Sequence, residues 1–141
     1  MVNLSVTNAP ILILLLFFAI TFIQSGIDKF INTQGNLDWF KSQFKETFLK
    51  PIIAPSFWLI TLQEIIAGFW ALAVFFMMLF NFSLSYIIFY VFVFQAFVLL
   101  QLFFGQRIAK DYAGASGIVP YFITSILAHF YLLNFHTVLF K

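Results

Sequence analysis

The stretch that decides the fold is Gln24-Ser25-Gly26-Ile27-Asp28-Lys29-Phe30, which ends a long apolar run beginning at Pro10. Residues 11–23 carry no charge, and the stretch that follows places an acid beside a base. A helix needs about 20 apolar residues to cross the hydrocarbon core of a bilayer. Residues 10–30 are therefore predicted to form a first transmembrane helix with a polar end.

The composition indicates a single integral membrane domain covering residues 1–141. Of the 141 residues, 63% are hydrophobic and 9% are charged, far less polar surface than a soluble domain of this length needs. The absence of cysteine excludes disulfides and thiolate metal sites, and the net charge of +2 without a basic tract argues against nucleic acid. Residues 1–9 lack the basic region of a secretory signal, so we expect the first apolar run to be retained.

Three further apolar runs predict transmembrane helices at residues 56–80, 84–104 and 118–139. A short turn at residues 81–83 separates the second from the third, and a polar connection at residues 105–117 precedes the fourth. The predicted fold is all-α: an integral membrane four-helix bundle with up-down-up-down topology.

The long polar segment between the first two spans has an apolar stripe of its own. Leu37, Phe40, Phe44 and Phe48 follow a helical spacing after a predicted turn at residues 32–36. This pattern predicts a short amphipathic helix at about residues 37–49, lying in the membrane interface. Packing of the same helix on the end of the bundle is the alternative.

The positive charges lie mostly in the two polar loops. Six of the seven lysines and arginines fall there: Lys29, Lys41, Lys45, Lys50, Arg107 and Lys110. Because cytoplasmic loops are enriched in lysine and arginine, the loops are predicted to be cytoplasmic and the termini to lie outside.

A candidate polar pocket follows from Glu64, which lies alone inside the second apolar run. Ionisable groups inside a membrane are costly and usually face the bundle interior and a partner. Lys29 is the first predicted partner of Glu64, and Arg107 is the second. We predict that the pocket lies in the loop-side half of the bundle and is formed by these candidates: Gln24, Asp28, Lys29, Glu64, Gln101, Arg107 and His129.

Two interpretations of this cluster remain open. One is an internal ion-pair network that fixes the register of the helices, and the other is a binding pocket in which Glu64 carries a proton or anchors a ligand. No metal site is predicted, because His129 and His136 are seven residues apart on one helix, about 10 Å from each other. Gly26 and Gly68 are predicted to allow two helices to approach closely.

The arrangement resembles the DoxX-like family of small four-helix bacterial membrane proteins. The resemblance lies in Gly26-Ile27-Asp28-Lys29-Phe30 and in Gln63-Glu64-Ile65-Ile66-Ala67-Gly68, where Gly26, Lys29, Glu64 and Gly68 are the family-type positions. It implies a multi-pass protein of the bacterial cytoplasmic membrane that is tied to redox or oxidative-stress systems. No family motif aligns with residues 105–117.

Three functions follow from these observations. The first is an accessory subunit of a larger membrane complex, with the bilayer and other membrane subunits as partners and no catalysis of its own. The second is a quinone-linked redox subunit that uses a polar pocket around Glu64 and Lys29, with electrons supplied by a partner. The third is a small-molecule transporter or channel, for which four helices leave little room without oligomerisation.

Overall fold

A computed structural model describes residues 8–80 and 85–139 of the chain, and side chains as far as residue 134. The described residues form five α-helices and no strand: α1 (Ala9–Ile31), α2 (Thr33–Gln43), α3 (Ile53–Leu79), α4 (Ser85–Ile108) and α5 (Tyr112–Leu139). Four of them, α1 and α3 to α5, are long and apolar enough to cross a membrane. The predicted all-α architecture with four candidate spans is thus confirmed. The predicted turn at residues 81–83 lies outside the described residues.

The predicted ends of three of the candidate spans differ from the structure. Helix α3 begins at Ile53, because Pro55 falls in its first turn, where a missing N–H is tolerated. The predicted polar connection at residues 105–117 is mostly helical, since α4 continues to Ile108 and α5 begins at Tyr112.

The short link between α4 and α5 explains this difference. The N–H of Asp111 donates to the carbonyl of Gln106, and the N–H of Lys110 donates to the carbonyl of Arg107, which closes α4 with Lys110 in a left-handed conformation at φ 60°. The Oδ1 of Asp111 then accepts the N–H of Gly114 at 2.9 Å and caps α5. A helix end of this type usually has glycine where Lys110 stands, so the sequence carries no clear signal for it.

Helices α1 and α3 run antiparallel and pack closely at two glycines. A Cβ on Gly26 of α1 would lie 2.6 Å from a side-chain atom of Ile65, and one on Gly68 of α3 would lie 2.7 Å from the backbone nitrogen of Ile23. At Gly26 and Gly68 a larger side chain would thus require the neighbouring helix to shift.

Helices α4 and α5 form a second antiparallel pair that packs against the first. The Ser125 hydroxyl of α5 donates to the carbonyl of Phe92, whose ring meets that of Phe18 of α1 edge to face. Antiparallel contacts between α3 and α4, including the rings of Trp70 and Phe94, complete the bundle. The core is apolar and includes Ile11, Leu15, Phe18, Phe22, Ala67, Ala71, Val74, Val91, Phe92, Val98, Ala128 and Leu132.

Helix α2 differs from the prediction at both ends. It begins at Thr33, within the predicted turn, and it ends at Gln43, so residues 44–49 are turns. Phe40 packs edge to face on Phe57 of α3 and Phe44 is buried, whereas Phe48 is 73% exposed. The apolar stripe therefore stops at Phe44, and α2 packs on the end of the bundle.

Candidate functional site

The centre of the candidate site is an ion pair between α1 and α3. The Nζ of Lys29 lies 2.7 Å from Oε2 and 2.9 Å from Oε1 of Glu64, whose side chain is buried. Lys29 therefore turns inward as expected, towards its first predicted partner.

Ser25 completes this cluster from the turn of α1 that precedes Lys29. Its hydroxyl accepts a hydrogen bond from Lys29 Nζ at 2.8 Å and donates one to Glu64 Oε1 at 2.9 Å. The three hydrogens of the ammonium group thus meet both carboxylate oxygens of Glu64 and the hydroxyl oxygen of Ser25, and the carbonyl oxygen of Ser25 lies farther away, at 3.5 Å. The carboxylate receives three charge-assisted or hydroxyl hydrogen bonds, the environment that stabilises a buried ion pair.

A cleft of about 410 Å³ opens beside this pair, and Glu64 forms part of its wall. Helix α1 contributes the polar residues of the cleft, while α4 and α5 contribute mainly apolar ones. The remaining lining residues are Ile20, Thr21, Phe22, Gln24, Ser25, Asp28, Leu99, Leu102, Ile118 and Tyr121. We call this space the lateral cleft, because it lies between α1 and the α4–α5 pair.

Two of the polar side chains that α1 contributes to the lateral cleft are uncommitted. The carboxylate of Asp28 and the amide of Gln24 are exposed and make no hydrogen bond or ion pair with any residue that the structure describes. They lie one turn apart on α1, a spacing that places both on the same face of the helix. A molecule in the cleft thus meets an amide, a free carboxylate and the paired carboxylate of Glu64.

The other three predicted pocket residues lie elsewhere. Gln101 lines a separate cavity beneath α2. Arg107 is exposed, its guanidinium lies 4.6 Å from the centre of the Tyr112 ring, and it does not line the cleft. These two residues therefore do not share a pocket with Glu64.

His129 was expected in the loop-side half of the bundle, and this expectation is wrong. Its ring packs against Phe89 and Phe92, in the half of α4 that is remote from the loops, and its Nδ1 lies 2.8 Å from the carbonyl oxygen of Ser125. The reason is that α5 begins six residues earlier than predicted, so His129 lies past the middle of that helix. The side chain of His136 lies outside the described residues.

Two residues of the site were not predicted. Ser25 precedes Lys29 by four residues, and this spacing on one helical face was the signal that could have identified it. Tyr121 stacks on Phe17 of α1 at one lip of the cleft, with ring centroids 5.9 Å apart. Nothing in the sequence distinguishes Tyr121 from the many aromatic residues around it.

Comparison of the chain with known protein families, with characterised proteins and with solved structures gives no match. The DoxX-like resemblance therefore stays a prediction, and it rests on the two short motifs around Lys29 and Glu64. Those motifs coincide with the ion pair and with the two close-packing glycines, which gives each family-type position a structural role in this chain.

The arrangement suits a ligand that offers hydrogen-bond donors. Glu64 is neutralised by Lys29, and Asp28 is the second carboxylate of the cleft. Hydroxyl groups donate to carboxylates, and the amide of Gln24 both donates and accepts. The apolar wall of Leu99, Leu102 and Ile118 would contact a ring or a chain.

Proposed function

We propose that the protein is an integral membrane protein that crosses the bilayer four times. Each of the four candidate spans contains 23 residues or more, and 23 helical residues extend about 35 Å, enough to cross about 30 Å of hydrocarbon. Large apolar side chains are exposed on all four helices, as they are on a lipid-facing surface; examples are Ile13, Phe69, Phe97 and Leu133.

The polar end of the bundle is proposed to face the cytoplasm of a bacterial cell. Lys29 is committed to Glu64 and does not count as a free loop charge. The other five loop cations are exposed and remain available for the positive-inside effect: Lys41, Lys45, Lys50, Arg107 and Lys110. Because the chain has no cysteine, a single Lys45→Cys variant tests this orientation: a membrane-impermeant maleimide should label it only after the cells are opened. Labelling of intact cells would reverse the orientation.

Within the membrane, the protein is proposed to be an accessory subunit that binds a quinone in the lateral cleft. The observation that carries this proposal is the buried Glu64–Lys29 pair at the wall of a cleft that also contains uncommitted Gln24 and Asp28. The hydroxyls of a quinol donate to carboxylates, a quinone carbonyl accepts from the Gln24 amide, and the ring and tail fit the apolar wall.

The electrons are proposed to come from a partner subunit. The chain has no cysteine, and its two histidines lie on one helix, so it offers no evident pair of ligands for an electron carrier of its own. This proposal combines the accessory subunit, which was predicted first from the sequence, with the quinone-binding subunit, which was predicted as the alternative. Purification from native membranes under mild conditions should recover a stoichiometric partner, and recovery of the chain always alone would contradict this role.

Quinone binding is tested with a photoreactive azido-quinone on the protein in lipid nanodiscs. Thr21 lines the cleft, and its hydroxyl donates to the carbonyl of Phe17 four residues before it. Thr124 makes the same bond to Pro120 but does not line the cleft, so it provides a matched control.

Thr21→Phe should fill the cleft and reduce labelling at least tenfold, and Gln24→Leu should reduce it by removing the amide. Thr124→Phe should label like the unmodified protein. Equal labelling of Thr21→Phe and Thr124→Phe would show that quinone does not bind in the cleft.

A further inference from the structure

A second cavity, of about 220 Å³, lies beneath α2 and plays no part in the proposed quinone site. Phe40 of α2 and Phe44, which directly follows α2, cover it; Ile60 of α3 forms one wall, and Gly105 of α4 forms another. Leu102 lines both this cavity and the lateral cleft and so stands between them. We call this space the α2 cavity.

Two buried polar atoms at the α2 cavity, one donor and one acceptor, lack partners. Gln101 and Gln106 both line it, and the Nε2 of Gln101 and the Oε1 of Gln106 are buried without a hydrogen bond. Buried polar groups in folded proteins nearly always have a hydrogen-bond partner. The two atoms therefore indicate an occupant that accepts a hydrogen bond at one point and donates one at another.

The charges around the cavity argue against an anionic occupant. No lysine, arginine or histidine is among the lining residues. Asp111 is the single charged residue there, and its Oδ1 already accepts the N–H of Gly114. A phosphate group would enter without a counter-charge and beside a carboxylate, which is unfavourable in a site of low polarity.

The cavity is open on its side. Trp39 of α2, Leu59 of α3 and Phe104 of α4 line it and are also about half exposed, so the opening lies between these three helices. The volume of the cavity is about 220 Å³. This volume admits a small polar head, and a longer apolar chain would extend through the opening into lipid.

We propose that the α2 cavity binds the head of a neutral acylglycerol. Its ester carbonyl accepts a hydrogen bond from Gln101 Nε2, a free hydroxyl donates one to Gln106 Oε1, and its acyl chain leaves past Leu59 and Phe104. The proposal rests on the membrane insertion proposed above and is independent of quinone binding.

The test uses a monoacylglycerol probe with a diazirine in its acyl chain, added to the full chain in lipid nanodiscs. Gly105→Leu fills the cavity; a Cβ at this position would meet only Phe44, at an ordinary 3.6 Å. Gly117→Leu is the matched control, because a Cβ there has no neighbour within 4 Å. The double variant Gln101→Leu, Gln106→Leu removes both polar groups at similar volume.

We expect photolabelling of peptides from α2 and α4 in the unmodified protein. Gly105→Leu and the double glutamine variant should each lower labelling at least tenfold, which corresponds to about 1.4 kcal/mol. Gly117→Leu should stay within twofold, and excess phosphatidylglycerol should compete poorly. If Gly105→Leu does not fold, the labelling of the double glutamine variant tests the proposal.

Three outcomes would overturn the proposal: no labelling of the unmodified protein, unchanged labelling of the cavity variants, or competition by phosphatidylglycerol that is as effective as competition by monoacylglycerol. Azido-quinone labelling of the same samples separates the two sites, because Gly105→Leu should leave it unchanged. A chain that does not insert into nanodiscs would overturn both proposals.

Discussion

Removal of Lys29 alone should destabilise the bundle far more than removal of the whole ion pair. In Lys29→Met, the carboxylate of Glu64 stays buried, with the Ser25 hydroxyl as its one remaining donor among the contacts described. Loss of one partner from a buried pair costs about 3–5 kcal/mol. In the unmodified protein the Lys29 side chain is 14% exposed near the end of α1, so in Glu64→Leu its stem can extend towards water. We therefore expect a smaller loss of unfolding free energy, about 1–3 kcal/mol.

The double variant Lys29→Met, Glu64→Leu should recover most of the lost stability. Replacement of a buried ion pair by packed apolar side chains is often neutral or stabilising, and the Ser25 hydroxyl can then donate to a carbonyl of its own helix. The free energies of unfolding of the four proteins give a double-mutant cycle, for which we expect a favourable coupling of at least about 2 kcal/mol. The measurement is reversible unfolding in mixed micelles titrated with a denaturing detergent, followed by circular dichroism.

The exposed pair of Asp38 and Lys41 provides the control cycle. Its charged atoms are 3.7 Å apart, and its side chains are 57% and 51% exposed, so the coupling should be about 0.5 kcal/mol or less. Additive losses in the Lys29–Glu64 cycle, with a coupling as small as in the control, would refute the inference that the pair fixes α1 against α3.

Three further predictions concern packing and helix ends, each read out by the same unfolding measurement. Gly68→Ala should lower the free energy of unfolding by about 1–3 kcal/mol, because the added Cβ would clash with the backbone of α1. Gly26→Ala should lower it less, because the side chain of Ile65 can shift. Gly117→Ala should leave it unchanged or raise it slightly, since the space around this residue is open. Lys110→Gly should stabilise the protein by about 1 kcal/mol by relieving the left-handed conformation, and no gain would show that the lysine adopts it without strain. Asp111→Ala should cost about 1 kcal/mol through loss of the α5 cap, whereas Asp111→Asn should retain most of the stability.

The spans and the ion pair were predictable because their causes are local in the sequence. An uncharged run of sufficient length specifies a candidate span, and a lone acid in such a run requires a partner; Lys29 at the end of the preceding span was the nearest available base. Gly26 and Gly68 were predictable for a similar reason, since small residues in apolar helices usually allow close packing.

The helix ends and the division of the polar residues into two sites were not predictable. The link between α4 and α5 depends on Lys110 adopting a conformation that usually requires glycine, and the resulting early start of α5 shifts His129 out of the loop-side half. Gln24 and Gln101 both lie near the polar end, but Leu102 stands between their cavities. Tertiary packing decides whether a residue of α4, such as Gln101 or Leu102, faces α1 or α2. Helical spacing alone does not specify this.

The ion pair has consequences for both stability and binding, and the geometry allows the two to be separated. Lys29 and Ser25 donate three hydrogen bonds to the Glu64 carboxylate. A ligand that binds Glu64 directly would therefore compete with the contacts that hold α1 to α3. Asp28 and Gln24 bear no such contacts, and a ligand that binds them leaves the pair intact. The two uncommitted residues are therefore the better candidates for exchange with a mobile ligand, and the buried pair serves as the fixed wall against which that ligand is held.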